Sequence, residues 1–138
     1  MQLIKQIIAV TIASLFLTLN SSPAMADFKT EELPNCVVYT HCVLVNWEVD
    51  DVEALFIKAV ETVANTPRTK IVEQTDSYIH AEAKTRSRRY TDDLLLKALP
   101  EKGVIQVRSE SRVGIGDMGV NKKRVDDLAS RLSIIKNQ

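Results

Sequence analysis

The sequence predicts an α+β domain in which two amphipathic helices pack on one face of an antiparallel sheet of about four strands. Apolar residues recur at helical spacing in residues 51–65 and again in residues 122–135. Between them lie several short segments that are rich in β-branched residues or alternate apolar with polar, separated by turn-forming residues. One-sided helices and one-sided strands bury their apolar faces together as two layers.

Both helices are predicted from an apolar stripe and from the residues at their ends. In residues 51–65, Asp50 is the predicted N-cap, with Glu53 three residues on, and Asn65-Thr66-Pro67 ends the helix. The second helix spans residues 122–135 and carries three cations in its first turn. The predicted stripes are Val52, Leu55, Phe56, Ala59, Val60 and Val63 in the first helix, and Val125, Leu128, Ala129, Leu132 and Ile135 in the second.

Four segments are predicted as strands. They are Thr69–Gln74, residues 78–85, residues 89–99 and residues 104–113, with a hairpin turn at residues 100–103. Residues 42–47 are short and β-branched-rich, so they form either a further strand or an irregular segment that buries the single Trp.

Residues 1–26 have the pattern of a cleavable signal peptide. Lys5 provides the positive charge, residues 7–19 the apolar core, and Ala24-Met25-Ala26 the cleavage site. The apolar core is shorter than the roughly 20 residues of a membrane-spanning helix. We therefore expect residues 27–138 to be a single domain of an exported protein that does not span the membrane after cleavage, located in a periplasm or a thylakoid lumen.

The charge balance excludes some classes of partner. Removal of Lys5 leaves 17 Lys and Arg against 18 Asp and Glu, a net charge near −1. General nucleic-acid binding needs many uncompensated cations, and so does attachment of the whole domain to anionic lipid. We expect neither, and only local charge is left as a source of recognition.

Both cysteines lie near the start of the exported domain. Export allows Cys36 and Cys42 to form a disulfide closing a short loop. Free thiols are the second possibility. A metal site including His41 is the third, although two Cys and one His without a second cluster match zinc-site spacings poorly.

The segment from residue 104 to residue 124 joins a predicted strand, a glycine-rich connection and the start of the last helix. Gly114-Ile115-Gly116-Asp117-Met118-Gly119 fits the pattern G-x-G-x-x-G, but a dinucleotide site also needs a second parallel strand with an acidic residue. The chain ends 19 residues after Gly119 without such a strand. The glycines then serve either positive φ angles and close backbone approach, or a ligand site.

Charged residues surround these glycines and support two interpretations. Arg108, Arg112 and Arg124, with Asn121, are expected near the end of the strand and the start of the helix, where they can hold a carboxylate or phosphate. Alternatively, Arg108 and Arg112 pair with Asp92 and Asp93 across the hairpin. The cations Lys122, Lys123 and Arg124 crowd the helix start, where the macrodipole favours anions. They are relieved either by Asp117, Asp126 and Asp127 or by a docked anion.

The order of several motifs is similar to that of the domain of unknown function 1499 family over nearly the whole exported domain. The motifs are Leu33-Pro34-Asn35-Cys36, then Thr91-Asp92-Asp93, then Arg108-Ser109-x-Ser111-Arg112-x-Gly114-x-x-Asp117-x-Gly119-x-Asn121-x-x-Arg124. Many members carry serines after P-N-C-V, where this chain has residues 39–42, so the second cysteine belongs to a subgroup at most. The resemblance implies an exported or envelope-associated globular domain and no established activity, substrate or cofactor.

The residue types favour binding over catalysis. Ser109 and Ser111 are candidate nucleophiles, but neither histidine has a triad-like setting, and the adjacent Asp92 and Asp93 point to opposite faces of a strand. We expect no cofactor. The prediction is a binding or assembly module that recognises a small anionic ligand or an acidic surface of an envelope or membrane-complex protein. The alternative is a hydrolase using these serines, aspartates and arginines. The predicted binding residues are Asp92, Asp93, Arg108, Arg112, Gly114, Asp117, Asn121 and Arg124.

Overall fold

The computed structural model describes residues 32–87 and 89–134. The predicted signal peptide, its cleavage site and Ile135 lie outside these described residues. Within them the chain forms five strands and two α-helices, an α+β fold. The elements are β1 (Cys42–Glu48), α1 (Val52–Ala64), β2 (Thr69–Gln74), β3 (Tyr78–Lys84), β4 (Thr91–Leu99), β5 (Val104–Ser111) and α2 (Val120–Arg131).

All strand pairs in the sheet are antiparallel, and the strand order is β1-β5-β4-β3-β2. Strands β2 to β5 form a meander. The predicted turn between β4 and β5 is a 3-10 turn, Pro100–Lys102, followed by Gly103 at a φ of 65°. Strand β1 then pairs with β5, so the first strand lies beside the last.

The strand count of about four was one too low because residues 42–47 read equally well as a strand or as an irregular segment. The structure makes them part of β1, with Trp47 paired to Ile105 and Val45 to Val107 of β5. This pairing takes up the edge of β5 that β4 does not. The ambiguity arose because a seven-residue edge strand has little pattern of its own, and only its tertiary partner settles its conformation.

The helix starts differ from the predictions by one and by two residues. Asp51, not Asp50, is the N-cap of α1, and its carboxylate accepts a hydrogen bond from the Ala54 backbone amide at 2.9 Å. Helix α2 begins at Val120, two residues before the predicted start, because Gly119 adopts a left-handed conformation and ends the preceding loop. Helix α2 also ends earlier than predicted, at Arg131.

Both helices pack on the same face of the sheet. The buried core joins one side of α1 and one side of α2 to alternate residues of β3, β4 and β5. The fully buried members include Ala59, Ile79, Leu96, Ile105 and Val107. The opposite face carries Arg108, Glu110 and Asp93 toward the loop ends of β4 and β5. In the described part of the chain, no helix is both long and apolar enough to cross a bilayer.

Replacing Asp51 with Ala should lower the free energy of unfolding by about 1 kcal/mol, the usual cost of losing an N-cap side chain. The change removes the acceptor for the Ala54 amide. Asp50→Ala is the matched control, and we expect it to change the stability by much less. Urea unfolding of both variants measures the difference, and equal losses would contradict the assignment of the cap.

Candidate functional site

Three loops meet at one end of the sheet. Residues 36–41 lead into β1, residues 85–90 lead into β4, and residues 112–119 follow β5. Cys42 pairs with Glu110, and Asp92 pairs with Ser111, so these loops leave the sheet side by side. We call this region the loop end. The G-x-G-x-x-G segment lies at its centre.

A buried polar network on the helix side of the sheet supports the loop end. The Arg124 guanidinium donates to the Asp92 carboxylate at 2.6 Å and to the Ser109 hydroxyl at 2.9 Å. Ser109 in turn donates to Asn121 Oδ1 at 2.6 Å. Asp92, Ser109 and Asn121 are all 0% exposed. Burial raises the strength of these contacts and the cost of breaking them, so the network joins α2 to β4 and β5.

Asn121 links this network to the loop that precedes β1. Its side-chain amide donates to Ser111 Oγ at 2.9 Å and to the His41 backbone carbonyl at 3.1 Å. One side chain therefore contacts β5, its own helix and the first loop. Asn121 was predicted to bind a ligand, and the structure instead shows all its side-chain polar atoms engaged inside the protein.

Asp117 occupies the N-terminus of α2. Its carboxylate accepts hydrogen bonds from the backbone amides of Gly119 at 2.9 Å and Asn121 at 2.7 Å. Burial raises the pKa of Asp117, but the amide hydrogen bonds from Asn121 and Gly119 outweigh it, so the pKa is lowered overall. The anion that the helix start favours is thus supplied by the chain itself.

The other face of the sheet holds a second, partly exposed cluster. Arg112 pairs with Asp93 and with Glu82, both at 2.7 Å, and His80 contacts Asp93 at 2.6 Å. Burial raises the pKa of Asp93, and the hydrogen bonds from Arg112 and His80 more than reverse that, so the pKa is lowered overall. Arg108 pairs with Glu110 at 2.7 Å, two residues along the same strand.

The predicted convergence of the three arginines is wrong. Arg108 and Arg112 lie on the outer face of the sheet, whereas Arg124 reaches Ser109 on the helix face. The period of two along β5 separates Arg108 from Ser109. Each of the three arginines has an internal acidic partner. The ion-pair alternative holds for Arg112, which meets Asp93 across the hairpin, but Arg108 pairs with Glu110 and Asp92 is taken by Arg124. Lys122 and Lys123 pair with Asp126 and Asp127 one turn along α2.

The disulfide between Cys36 and Cys42 ties together the two ends of the first loop. Both sulfurs are thereby unavailable as metal ligands, and no group of three potential ligands is gathered in the part of the chain described. Thr40 donates its hydroxyl to the Ile115 carbonyl, and the Asp117 amide donates to the Thr40 carbonyl at 3.1 Å. The first loop thus holds the glycine loop in place.

Two glycines of the loop need the backbone freedom that glycine allows. Gly114 has a φ of +93° and Gly119 a φ of +81°, a region that side chains with a Cβ rarely adopt. This agrees with the backbone interpretation of the motif. The turn at Gly119 also starts α2 early enough to place Asn121 in the network.

The serines proposed for the hydrolase alternative are both built into the network. Ser109 donates to an amide oxygen, and Ser111 accepts from the Asn121 amide. Among the described residues, neither hydroxyl has a histidine or lysine as a hydrogen-bond partner. Asp92 and Asp93 point to opposite faces, as predicted, with Arg124 on one and Arg112 on the other.

Sequence reasoning missed the most exposed feature of the loop end. Ile115 and Met118 are 92% and 102% exposed, although they lie in the motif that was analysed for charge. The loop before β4 carries the exposed cations Arg86 and Arg89. The signal was present as an acid-free basic run at residues 84–89 and as apolar residues interleaved with glycines at 113–118.

The chain was compared with known protein families. Residues 21–132 match the family described as "Protein of unknown function (DUF1499)". The chain belongs to the DUF1499 family. The match includes all five strands and both helices, so the DUF1499 unit contains the whole loop end and its network. A comparison with curated proteins found no match to the chain.

Replacing Arg124 with Met should lower the free energy of unfolding by about 3 to 5 kcal/mol, because it leaves the Asp92 carboxylate buried without its partner. Arg112→Met removes a cation that is 42% exposed and should cost about 1 kcal/mol or less. Denaturant unfolding of the two variants measures the difference. Similar losses would show that the buried Arg124–Asp92 pair contributes no more to the free energy of unfolding than the exposed Arg112 does.

The contribution of Asp117 to stability should depend on pH. Its pKa is lowered on folding, so its ionised form stabilises the protein fully above the unfolded value of about 3.9. That stabilisation is lost as the pH falls through the folded pKa. The wild type should therefore exceed Asp117→Asn in stability at pH 6, and the gap should narrow steadily as the pH falls below about 3.9. A gap that does not change with pH would contradict the role of the charge.

Proposed function

We propose that this DUF1499 protein is a non-catalytic binding or assembly module that docks its loop end onto an acidic surface of a partner protein. The proposal keeps the strand, glycine loop and helix motif as the contact region. It changes the residues that make the contact, from the internal arginines to the exposed apolar side chains and the neighbouring basic loop.

The observation that carries the proposal is the distribution of exposed apolar side chains. Ten large ones are exposed in the described residues, and eight of these belong to the loop end or the first position of α2. Single exposed apolar residues are ordinary, but a group gathered on adjacent loops is typical of a protein contact site. The eight are Val37, Val38, Tyr39, Tyr90, Val113, Ile115, Met118 and Val120.

The charge beside this surface argues for an acidic partner. Lys84, Arg86 and Arg89 are exposed, and no acid of the described residues forms an ion pair with them. A basic loop beside an apolar surface steers a partner of opposite charge and adds to the specificity of docking. The cations of α2 contribute less, because Lys122 and Lys123 are paired along the helix.

A small anionic ligand is less well supported than an acidic protein surface. Asp117 already occupies the amides at the start of α2, and Arg108, Arg112 and Arg124 are each paired with an acid. An anion would have to displace an internal carboxylate to bind them.

We place the module in an exported compartment, a periplasm or thylakoid lumen, on the strength of the signal-peptide pattern in residues 1–26.

The test compares two pairs of apolar substitutions in crosslinking capture from source cells. Ile115→Ser with Met118→Ser changes the loop end, and Ile57→Ser with Val72→Ser is the matched control, since these side chains are also exposed but lie elsewhere. A partner captured by the wild type and the control should be lost with the loop-end pair. The purified partner should then bind the loop-end variant at least about tenfold more weakly than the wild type.

Charge reversal gives the second measurement. Arg86→Glu with Arg89→Glu should weaken binding to the purified partner. Added salt should weaken partner binding by the wild type until its affinity approaches that of the charge-reversed variant. Equal effects of the loop-end and control pairs would contradict the proposal. If the wild type captures no protein but binds vesicles rich in anionic lipid, and the loop-end variant does not bind them, the same surface is assigned to a membrane instead.

A further inference from the structure

A cleft of about 660 Å³ opens between the glycine loop and the loop that precedes β4. Tyr90, Val113 and Met118 form apolar walls, while Asp92, Ser111 and Asp117 provide polar groups. Two carboxylates therefore line the cleft, and no lysine or arginine among the described residues does. This composition is the opposite of an anion site.

Asp92 has an unmet hydrogen-bonding requirement. Its Oδ2 accepts from Arg124 at 2.6 Å, but its Oδ1 is buried and has no hydrogen-bond partner among the described residues. A buried carboxylate oxygen without a donor is costly and uncommon in native proteins. The Asp92 side chain is 1% exposed and belongs to the lining of the cleft.

The surroundings determine which chemistry would meet this requirement. A protonated amine supplies up to three donors and a positive charge, which suits a cleft with two carboxylates. A carboxylate or phosphate would meet like charge. The apolar walls favour a ligand whose remaining part is hydrocarbon.

We propose that this cleft binds a small molecule that carries a primary amine on a compact apolar body. The amine lies against Asp92 and Ser111, and the body packs between Tyr90, Val113 and Met118. The cleft shares Tyr90, Val113 and Met118 with the surface proposed for docking, so a docked protein would cover it. The test below uses the protein without a partner, so its failure would leave the docking proposal untouched.

The test is a titration of the ¹⁵N-labelled protein with three probes that share a benzyl skeleton: benzylamine, benzyl alcohol and benzoate. Benzylamine should give saturable shifts of the Ser111, Gly114 and Gly116 amides, and should bind at least about tenfold more tightly than benzoate. Benzyl alcohol should fall between them. Benzoate binding as tightly as benzylamine, or no saturable shift of these three amides with benzylamine, would overturn the proposal.

A variant outside the buried network keeps the test independent of folding. Val113→Ala shortens one apolar wall at a half-exposed position and should weaken benzylamine by about threefold. Val72→Ala, at a similarly exposed position of β2, is the matched control and should bind as the wild type does. Equal affinity of Val113→Ala and the wild type would place the probe elsewhere. Asp92→Asn, where it folds, should remove the preference for amine over alcohol.

Discussion

The buried contact between Arg124 and Asp92 is the interaction on which the loop end of this fold depends. It joins the second helix to a central strand at a place where the hydrophobic core ends and the loops begin. A carboxylate that is 0% exposed is tolerated in a core only when it is paired. The guanidinium also donates to Ser109, so one side chain orients the network on β5.

The glycine loop owes its shape to this network and to the first loop. Asn121 can reach Ser111 and the His41 carbonyl because α2 begins early, at the left-handed turn of Gly119. Asp117 closes the helix start from the other side. The charged and amide groups that resemble a ligand site in the sequence therefore bond to one another inside the protein. What remains for recognition is the set of side chains that the architecture holds outward.

The sequence predicted the secondary structure better than the contacts between the polar side chains. Helix α1 and strand β3 followed from periodicity, because each has one apolar face. Strands β2, β4 and β5 followed from β-branched or apolar runs set off by turn residues, and the two-layer arrangement followed from the need to cover the apolar faces. The G-x-G-x-x-G motif lies at the loop end, but the partner of each nearby arginine could not be predicted. Periodicity along β5 puts neighbours on opposite faces and cannot say which acid each arginine meets. Asp92 pairs with a helix residue 32 positions away, and no local pattern contains that contact.

The exposed surface was missed for a different reason. The sequence analysis of this motif considered its glycines and charges, and nothing in the sequence distinguishes an exposed Ile115 or Met118 from a buried one. Only the positions of the three loops show that both side chains are exposed to solvent. An acid-free run such as residues 84–89 gains meaning in the same way, once it is placed beside those apolar side chains.

A double-mutant cycle on Asp92 and Arg124 tests the central claim most directly. The singles Asp92→Leu and Arg124→Met and the double variant are compared by denaturant unfolding. If the pair is the buried anchor of the loop end, the double variant should lose at least about 2 kcal/mol less stability than the sum of the single losses. A double loss equal to that sum would show that the two side chains act independently, and would contradict the account.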